Sequence, residues 1–138
     1  MKRLLLLLAL QSCQPCPAGV VSDTLFAEAR GEGRQGILAV ASVIWNRAER
    51  KGMTPDAVCL APRQFSCWNA GYRIQTPKNG QERAILAFCE GLEKQMESGT
   101  FKPTTKADHY MRFDCYPSWR KELKNQERIG KHIFGNCR

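Results

Sequence analysis

The stretch Glu28-Ala29-Arg30-Gly31-Glu32-Gly33 decides how this chain is read. Two carboxylates stand four residues apart with an arginine between them, and two glycines break the run. A short amphipathic segment precedes it, and a long apolar one, Ile37 to Ala48, follows. The first segment reads as a helix capped by Ser22, with Leu25, Phe26 and Ala29 on one face, ending at Gly31 where a C-terminal cap is wanted. Glu28 then lies in its last turn. After a turn through Gly33 and Gly36, a second helix places Ile37, Val40, Ala41, Ile44 and Ala48 at helical spacing. Leu38, Val43 and Trp45 cover its other side. A helix apolar nearly all round is central and buried, so it serves as the wall behind Glu28. A carboxyl shielded by such a wall holds its proton longer and becomes a donor near neutral pH. The plainer alternative is two solvated charges at a helix end, which composition alone favours.

Downstream, Gly52 ends the second helix, and Thr54-Pro55-Asp56 supplies a cap, a first-turn proline and a first-turn acid for a short third helix ending by Leu60. A loop through Gln64-Phe65-Ser66-Cys67-Trp68 follows, and Cys59 and Cys67 bracket it closely enough for a disulfide. Asn69 to Gly80 reads as irregular chain. Gln81 to Glu97 is an amphipathic helix with Ile85, Phe88, Cys89, Leu92 and Met96 inside and Glu82, Arg83, Glu90, Glu93, Lys94 and Glu97 outside. Asp108 to Phe113 reads as a strand, Tyr116 to Trp119 as a helical turn, and Arg128 to Phe134 as a returning strand. Cys115 and Cys137 are a second candidate pair across that hairpin.

With 138 residues, 43% hydrophobic and 25% charged, the chain holds one compact domain and a tail. Lys2 and Arg3 followed by Leu4 to Leu10 form a targeting signal too short to span a bilayer as a mature helix. Residues 1–19 are thus leader and tether, and 20–138 the folded domain. Leu10-Gln11-Ser12-Cys13 resembles a lipoprotein processing site that would place a lipid on Cys13; cleavage near Ala18 or an uncleaved anchor are the rivals. All three readings export the protein, to the periplasm and cell envelope or beyond. The net charge of +8, or +6 without the two leader cations, suits an anionic polymer such as nucleic acid, teichoic acid or an acidic envelope. The cations are spread along the chain, so a solvated basic face is favoured over a nucleic-acid groove, and a monomer is expected. Seven cysteines point to an oxidising compartment.

Several chemistries compete. A cysteine nucleophile with a histidine base lacks any nucleophile motif. A zinc site could draw on His109, His132, Asp108 and Asp114, but there are two histidines and no H-E-x-x-H pattern, so no metal or cofactor is expected. Each histidine can equally be a surface ring, a description that suits His132 better than His109. Trp68, Tyr110 and Trp119 are the rings a sugar-binding cleft uses, and each could equally be core.

The blocks Phe26 to Gly33, Ala39-Val40-Ala41-Ser42-Val43-Ile44-Trp45-Asn46-Arg47, Val58-Cys59-Leu60 with Gln64 to Trp68, Asp108-His109-Tyr110, and Ile129 to Phe134 resemble, in order, the SleB-type cell wall hydrolases. The resemblance covers about residues 21 to 135. It implies a mostly α (α+β), lysozyme-like or lytic-transglycosylase-like domain with a small β-hairpin. It also implies cleavage of the β-1,4 bond between N-acetylmuramic acid and N-acetylglucosamine in peptidoglycan glycan strands. The family's essential glutamate falls on Glu28, with Glu32 in a supporting or backbone-capping role. Ser66, Trp68, His109, Tyr110 and His132 become candidate substrate contacts. Met111 stands where many relatives carry a second histidine, and no separate peptidoglycan-binding module is present, which weakens any link to spores. A hydrolase would need a second acid, for which Glu32, Asp108 and Asp114 are the candidates; a lytic transglycosylase needs none. The alternatives are a non-catalytic, cationic envelope-binding lipoprotein and a zinc-dependent amidase or peptidase.

Overall fold

A computed structural model describes residues 19–69 and 75–137. The leader, Cys13 and Ala18 lie outside the described residues. Four helices come first: α1 (Val20–Ala29), α2 (Gly33–Lys51), α3 (Pro55–Leu60) and α4 (Gly80–Ser98), with a 3-10 turn at Ser66–Trp68 before α4. Then come β1 (His109–Arg112), a 3-10 turn (Ser118–Glu122), β2 (Leu123–Ile129) and β3 (His132–Cys137). The strands form one antiparallel sheet in the order β1-β3-β2. The fold is therefore mostly α with a small sheet, as expected, but the expected hairpin has three strands. β2 and β3 make the hairpin around Gly130, whose φ of 58° suits glycine, and β1 joins the free edge of β3.

α2 is the central helix. Ile37, Ala39, Val40, Ala41, Val43 and Ile44 are all 1% exposed or less. α1 lays Val21, Leu25, Phe26 and Ala29 against it, while Cys89, Leu92 and Met96 of α4 close the other side of the same core. Leu38 and Trp45 are only partly buried and rest at its margin, Trp45 5.6 Å from the Phe101 ring. No described helix is long and apolar enough to cross a membrane.

The strand expected over Arg128 to Phe134 is instead the β2–β3 turn with the adjoining ends of both strands, and three helix boundaries also differ from the sequence reading. α1 begins at Val20, and Ser22 is inside its first turn, donating to the Gly19 carbonyl at 3.0 Å. The cap comes from α4: the Glu93 carboxylate accepts from Val21 N at 3.2 Å and Ser22 N at 3.3 Å. Glu93, placed on the wet side by periodicity, is 8% exposed for this reason; a carboxylate suits the positive end of a helix. Second, α1 stops at Ala29 with Arg30 as its cap, so Gly31 is a turn residue and not the left-handed cap. Third, α2 already begins at Gly33, and Gly36 is inside it, where a Cβ would lie 2.5 Å from Glu32 Cβ. The start of α3 and the end of α2 are as expected: Thr54 accepts from Ala57 N at 3.1 Å, and Gly52 caps α2 with φ 61°.

The expected disulfides are absent among the described residues. Cys59, Cys67, Cys89, Cys115 and Cys137 are all free thiols. Spacing along the chain allowed the pairs, but spacing alone does not set the sulfur geometry that a bond needs. Cys59 and Cys67 both turn to the Thr24 hydroxyl, and Cys115 sits on an exposed turn.

Because Glu93 caps α1 across the core, Glu93→Ala should lower stability by about 1 kcal/mol. Urea unfolding checks this: the midpoint should fall with an unchanged m value.

Candidate functional site

Glu28 ends up at a groove between the helices and the sheet. The cavity, about 490 Å³, is lined by Glu28, Arg47, Arg63, Gln64, Ser66, His109, Tyr110 and Trp119. Glu28 is half-buried in the last turn of α1. The Tyr110 hydroxyl, from β1, donates to its Oε2 at 3.1 Å, and Ser66 hydrogen-bonds to it as well. Burial raises the Glu28 pKa; the bonds from Tyr110 and Ser66 and the nearby His132 pull the other way without cancelling the rise. The carboxyl holds its proton longer than an exposed glutamate does.

Each neighbour is delivered by a local cause. Phe65 is 3% exposed, and the Trp68 indole N–H donates to Thr24 Oγ1 at 2.7 Å, so the turn between them is pinned and Ser66 is held beside Glu28. Trp68 is thereby packed against the core and is not among the groove-lining residues. Tyr110 is delivered by a ladder of polar residues down one face of α2. Thr104 N donates to Ser42 Oγ at 2.9 Å. The Asn46 amide donates to the carbonyls of Thr105 and Ala107 at 2.9 and 2.8 Å, and Arg47 Nε to that of Asp108 at 2.7 Å. Residues 104–108 are thus laid along the helix before β1 begins.

Asp108 is 1% exposed and anchors the end of this ladder. Its Oδ2 pairs with Arg50, and its Oδ1 takes the Nδ1 of His109 at 2.8 Å and Cys137 N at 3.4 Å. Burial alone would raise its pKa, but His109 and Arg50 hold it below the usual carboxylate range. It is a structural anion and does not line the groove. The His109 ring it orients does line it, against Trp119 at a centroid distance of 5.5 Å. Arg47 also reaches Gln64 Oε1 at 3.1 Å, fixing another lining residue.

Glu32 has a different duty. Its Oε2 accepts from Lys131 N at 3.0 Å and lies 3.7 Å from His132 Nδ1. It therefore ties the β2–β3 turn to the start of α2, and both Gly36 and Gly130 leave it room: a Cβ on Gly130 would come within 2.5 Å of Glu32 Oε2. Its carboxylate makes no cap bond to α2 itself. His132 is held behind the site, its ring edge-on to Tyr110 at 5.3 Å, and is not a groove-lining residue. Asp114 is exposed and paired with Arg112 at 2.8 Å. Of the three candidates for a second acid, then, none lines the groove; Glu28 is the one carboxyl among its described lining residues.

The other chemistries fare differently here. Burial pushes the thiols of Cys59 and Cys89 up to about 12 and that of Cys67 to about 11, so these three remain protonated at neutral pH. Among the described residues no group of three or more His, Cys, Asp or Glu is placed to hold a metal ion. Arg47, Arg63 and Gln64 complete the lining without having been singled out as contacts, while Trp119, read as a ring for a sugar cleft or for the core, lines the groove. Trp45-Asn46-Arg47 was visible as a polar break in an apolar helix, the one signal that could have found Arg47.

Most of the chain is similar to known proteins. Residues 31–135 match the family described as Cell Wall Hydrolase; Glu28 lies three residues before that segment. A spore cortex-lytic enzyme of Bacillus cereus is 30% identical over 118 residues, covering 83% of this chain and 42% of the relative. Another, from Halalkalibacterium halodurans, is 32% identical over 121 residues, covering 85% and 34%. The chain therefore spans about two-fifths or less of the length of these curated relatives. Among solved structures, the catalytic domain of the Bacillus cereus SleB protein superposes with a TM-score of 0.60 at 28% identity, over 86% of this chain and 88% of that one. The catalytic domain of a germination-specific lytic transglycosylase, SleB of Bacillus anthracis, gives 0.62 at 27%, over 86% and 92%.

A raised carboxyl pKa has a consequence for stability. A group bound more tightly to its proton in the folded state stabilises the fold below its unfolded pKa and loses that contribution as pH rises through the folded value. Glu28→Gln should therefore raise Tm at neutral pH, and the gain should disappear below pH 4.5, the ordinary glutamate value. Calorimetry across this range checks both the sign and the window.

Proposed function

The chain belongs to the cell wall hydrolase family, and from that premise we propose that it cleaves the glycan strands of peptidoglycan at the N-acetylmuramic acid to N-acetylglucosamine β-1,4 bond, as a lytic transglycosylase. The observation that carries the reading is a groove whose described lining residues offer a single, half-buried carboxyl of raised pKa. An inverting hydrolase places its second carboxylate about 6.5–9.5 Å from the first to activate water. Glu32, Asp108 and Asp114 are each committed elsewhere.

Glu28 enters the reaction protonated and gives its proton to the glycosidic oxygen as the bond breaks with oxocarbenium character. The 6-hydroxyl of the muramic residue attacks its own anomeric carbon, and the Glu28 carboxylate takes the hydroxyl proton. The products are a 1,6-anhydro end and a new non-reducing end, and Glu28 is restored as the acid. Tyr110 and Ser66 position the carboxyl and stabilise its charged form between the two proton transfers. His109, held by Asp108 with Nδ1 engaged, presents its other nitrogen to the groove as a substrate contact. The basic surface favours an anionic wall polymer.

The substrate lies outside the cytoplasm, so the proposal includes export by the leader, with retention through a lipid on Cys13 or release near Ala18. The proposed working unit is a single chain.

Glu28→Gln should abolish release of muropeptides from purified sacculi while leaving the circular dichroism spectrum unchanged; retained turnover would move the acid elsewhere. Mass spectrometry of the wild-type products should show anhydro ends, and reducing ends alone would contradict the transglycosylase assignment. Tyr110→Phe removes a bond that favours the ionised carboxyl. Its rate profile should therefore lose activity at a higher pH than the wild type, with a lower maximum.

A further inference from the structure

The connection between β1 and β2 carries features that the groove chemistry does not use. Among the described residues, Tyr116 and Phe113 are the exposed large aromatic side chains, at 79% and 38% exposure. Both belong to this connection, and each has a guanidinium on one face: Arg120 lies 4.1 Å from the Tyr116 ring centre and Arg128 4.2 Å from that of Phe113. Arg120 is itself held, donating through Nη1 to the carbonyls of Phe113 at 3.0 Å and Cys115 at 2.5 Å. Tyr116 is therefore backed by a fixed cation with its opposite face open to solvent. Beside it is a shallow depression of about 400 Å³, lined by Tyr116, Pro117, Ser118, Arg120, Lys121 and Gln126.

This depression adjoins the groove. The 3-10 turn Ser118–Glu122 is their common wall, because Trp119 lines the groove while Ser118, Arg120 and Lys121 line the depression. A polymer leaving the groove past Trp119 meets Tyr116 next. An exposed cation–π pair is a weak contact and does not explain a ring left so open at this place. Pyranose rings present C–H faces that stack on aromatic rings, and guanidinium and ammonium groups bind carboxylates.

We propose that Tyr116, with Arg120 and Lys121, forms an outer subsite that grips the strand beyond the scissile bond. The ring of Tyr116 takes an N-acetylated sugar face, and the two cations take a carboxylate of the peptide carried on the neighbouring lactyl group. The inference rests on the glycan reading above and adds to it a preference for long, peptide-bearing strands. The surface where the starts of α1 and α3 meet α4 is unsuited to this role. Burial and the neighbouring Glu90, Glu93 and Glu97 raise the pKa values of Asp23 and Asp56 there, and such an acidic surface repels the same carboxylates.

The test compares the full-length protein on intact sacculi and on a soluble tetrasaccharide short enough to occupy the groove alone. Tyr116→Ala should lower the ratio of kcat/KM on sacculi to that on the tetrasaccharide by about tenfold, the scale of one lost ring contact. Tyr116→Phe should keep the ratio within about twofold, since the stacking ring remains. Lys121→Ala should lower the ratio more at low salt than at high salt. An unchanged ratio in Tyr116→Ala, or equal losses in the Ala and Phe variants, would overturn the subsite. Sacculus pull-down with Glu28→Gln protein, with and without Tyr116→Ala, reads binding in the absence of turnover. Weaker retention of the double variant supports the subsite and equal retention overturns it. Wild-type protein inactive on both substrates would instead refute the glycosidase reading, and the pull-down would still decide the subsite.

Discussion

The hydrogen bond from Tyr110 to Glu28 joins the helical part of the molecule to the sheet, and much of the structure is arranged to keep it. Glu28 is set by α1, which is held against α2 by Leu25, Phe26 and Ala29 and capped from α4 by Glu93. Tyr110 is set by β1, whose entry is fixed to α2 by Ser42, Asn46, Arg47 and Arg50. Two elements far apart in sequence thus meet through a third that touches both. Moving either by an ångström would loosen a contact that positions the carboxyl and stabilises its charged form.

The two glutamates of the opening motif divide the work by environment. Glu28 faces a groove and is shielded enough to favour its neutral form. Glu32 accepts a backbone N–H from the β2–β3 turn and lies near His132, so it acts as a clamp on the sheet. The clamp then reaches the site indirectly, because His132 supports the Tyr110 ring that bonds to Glu28. The group that steadies the acid's surroundings follows it by four positions, and a turn rather than a continuous helix sends the two in different directions.

Patterns of apolar spacing and capping made the helices legible: the all-round apolar α2, the Thr54-Pro55 start of α3, and the stripe of α4 are each local properties of the chain. For Glu28 composition favoured a solvated charge; the apolar segment after it and the family-like blocks pointed instead to a shielded carboxyl, and it is half-buried. What sequence left hidden was long-range. Glu93 looks like any wet-side glutamate until the start of α1 is found beside it. Asp108 looks like a free acid until Arg50 and His109 converge on it. Trp68 looks like a sugar platform until Thr24 takes its indole N–H. The cysteine pairs expected from spacing are free thiols, because closeness along the chain does not by itself bring two sulfurs into bonding geometry.

The central claim is that its surroundings keep Glu28 protonated beyond the range of an ordinary glutamate. Site-resolved 13C carboxyl NMR titration of the wild-type protein measures this without reference to any substrate. The Glu28 resonance should titrate above pH 4.5, with Tyr110→Phe moving it higher still. A midpoint at or below that value would contradict the account.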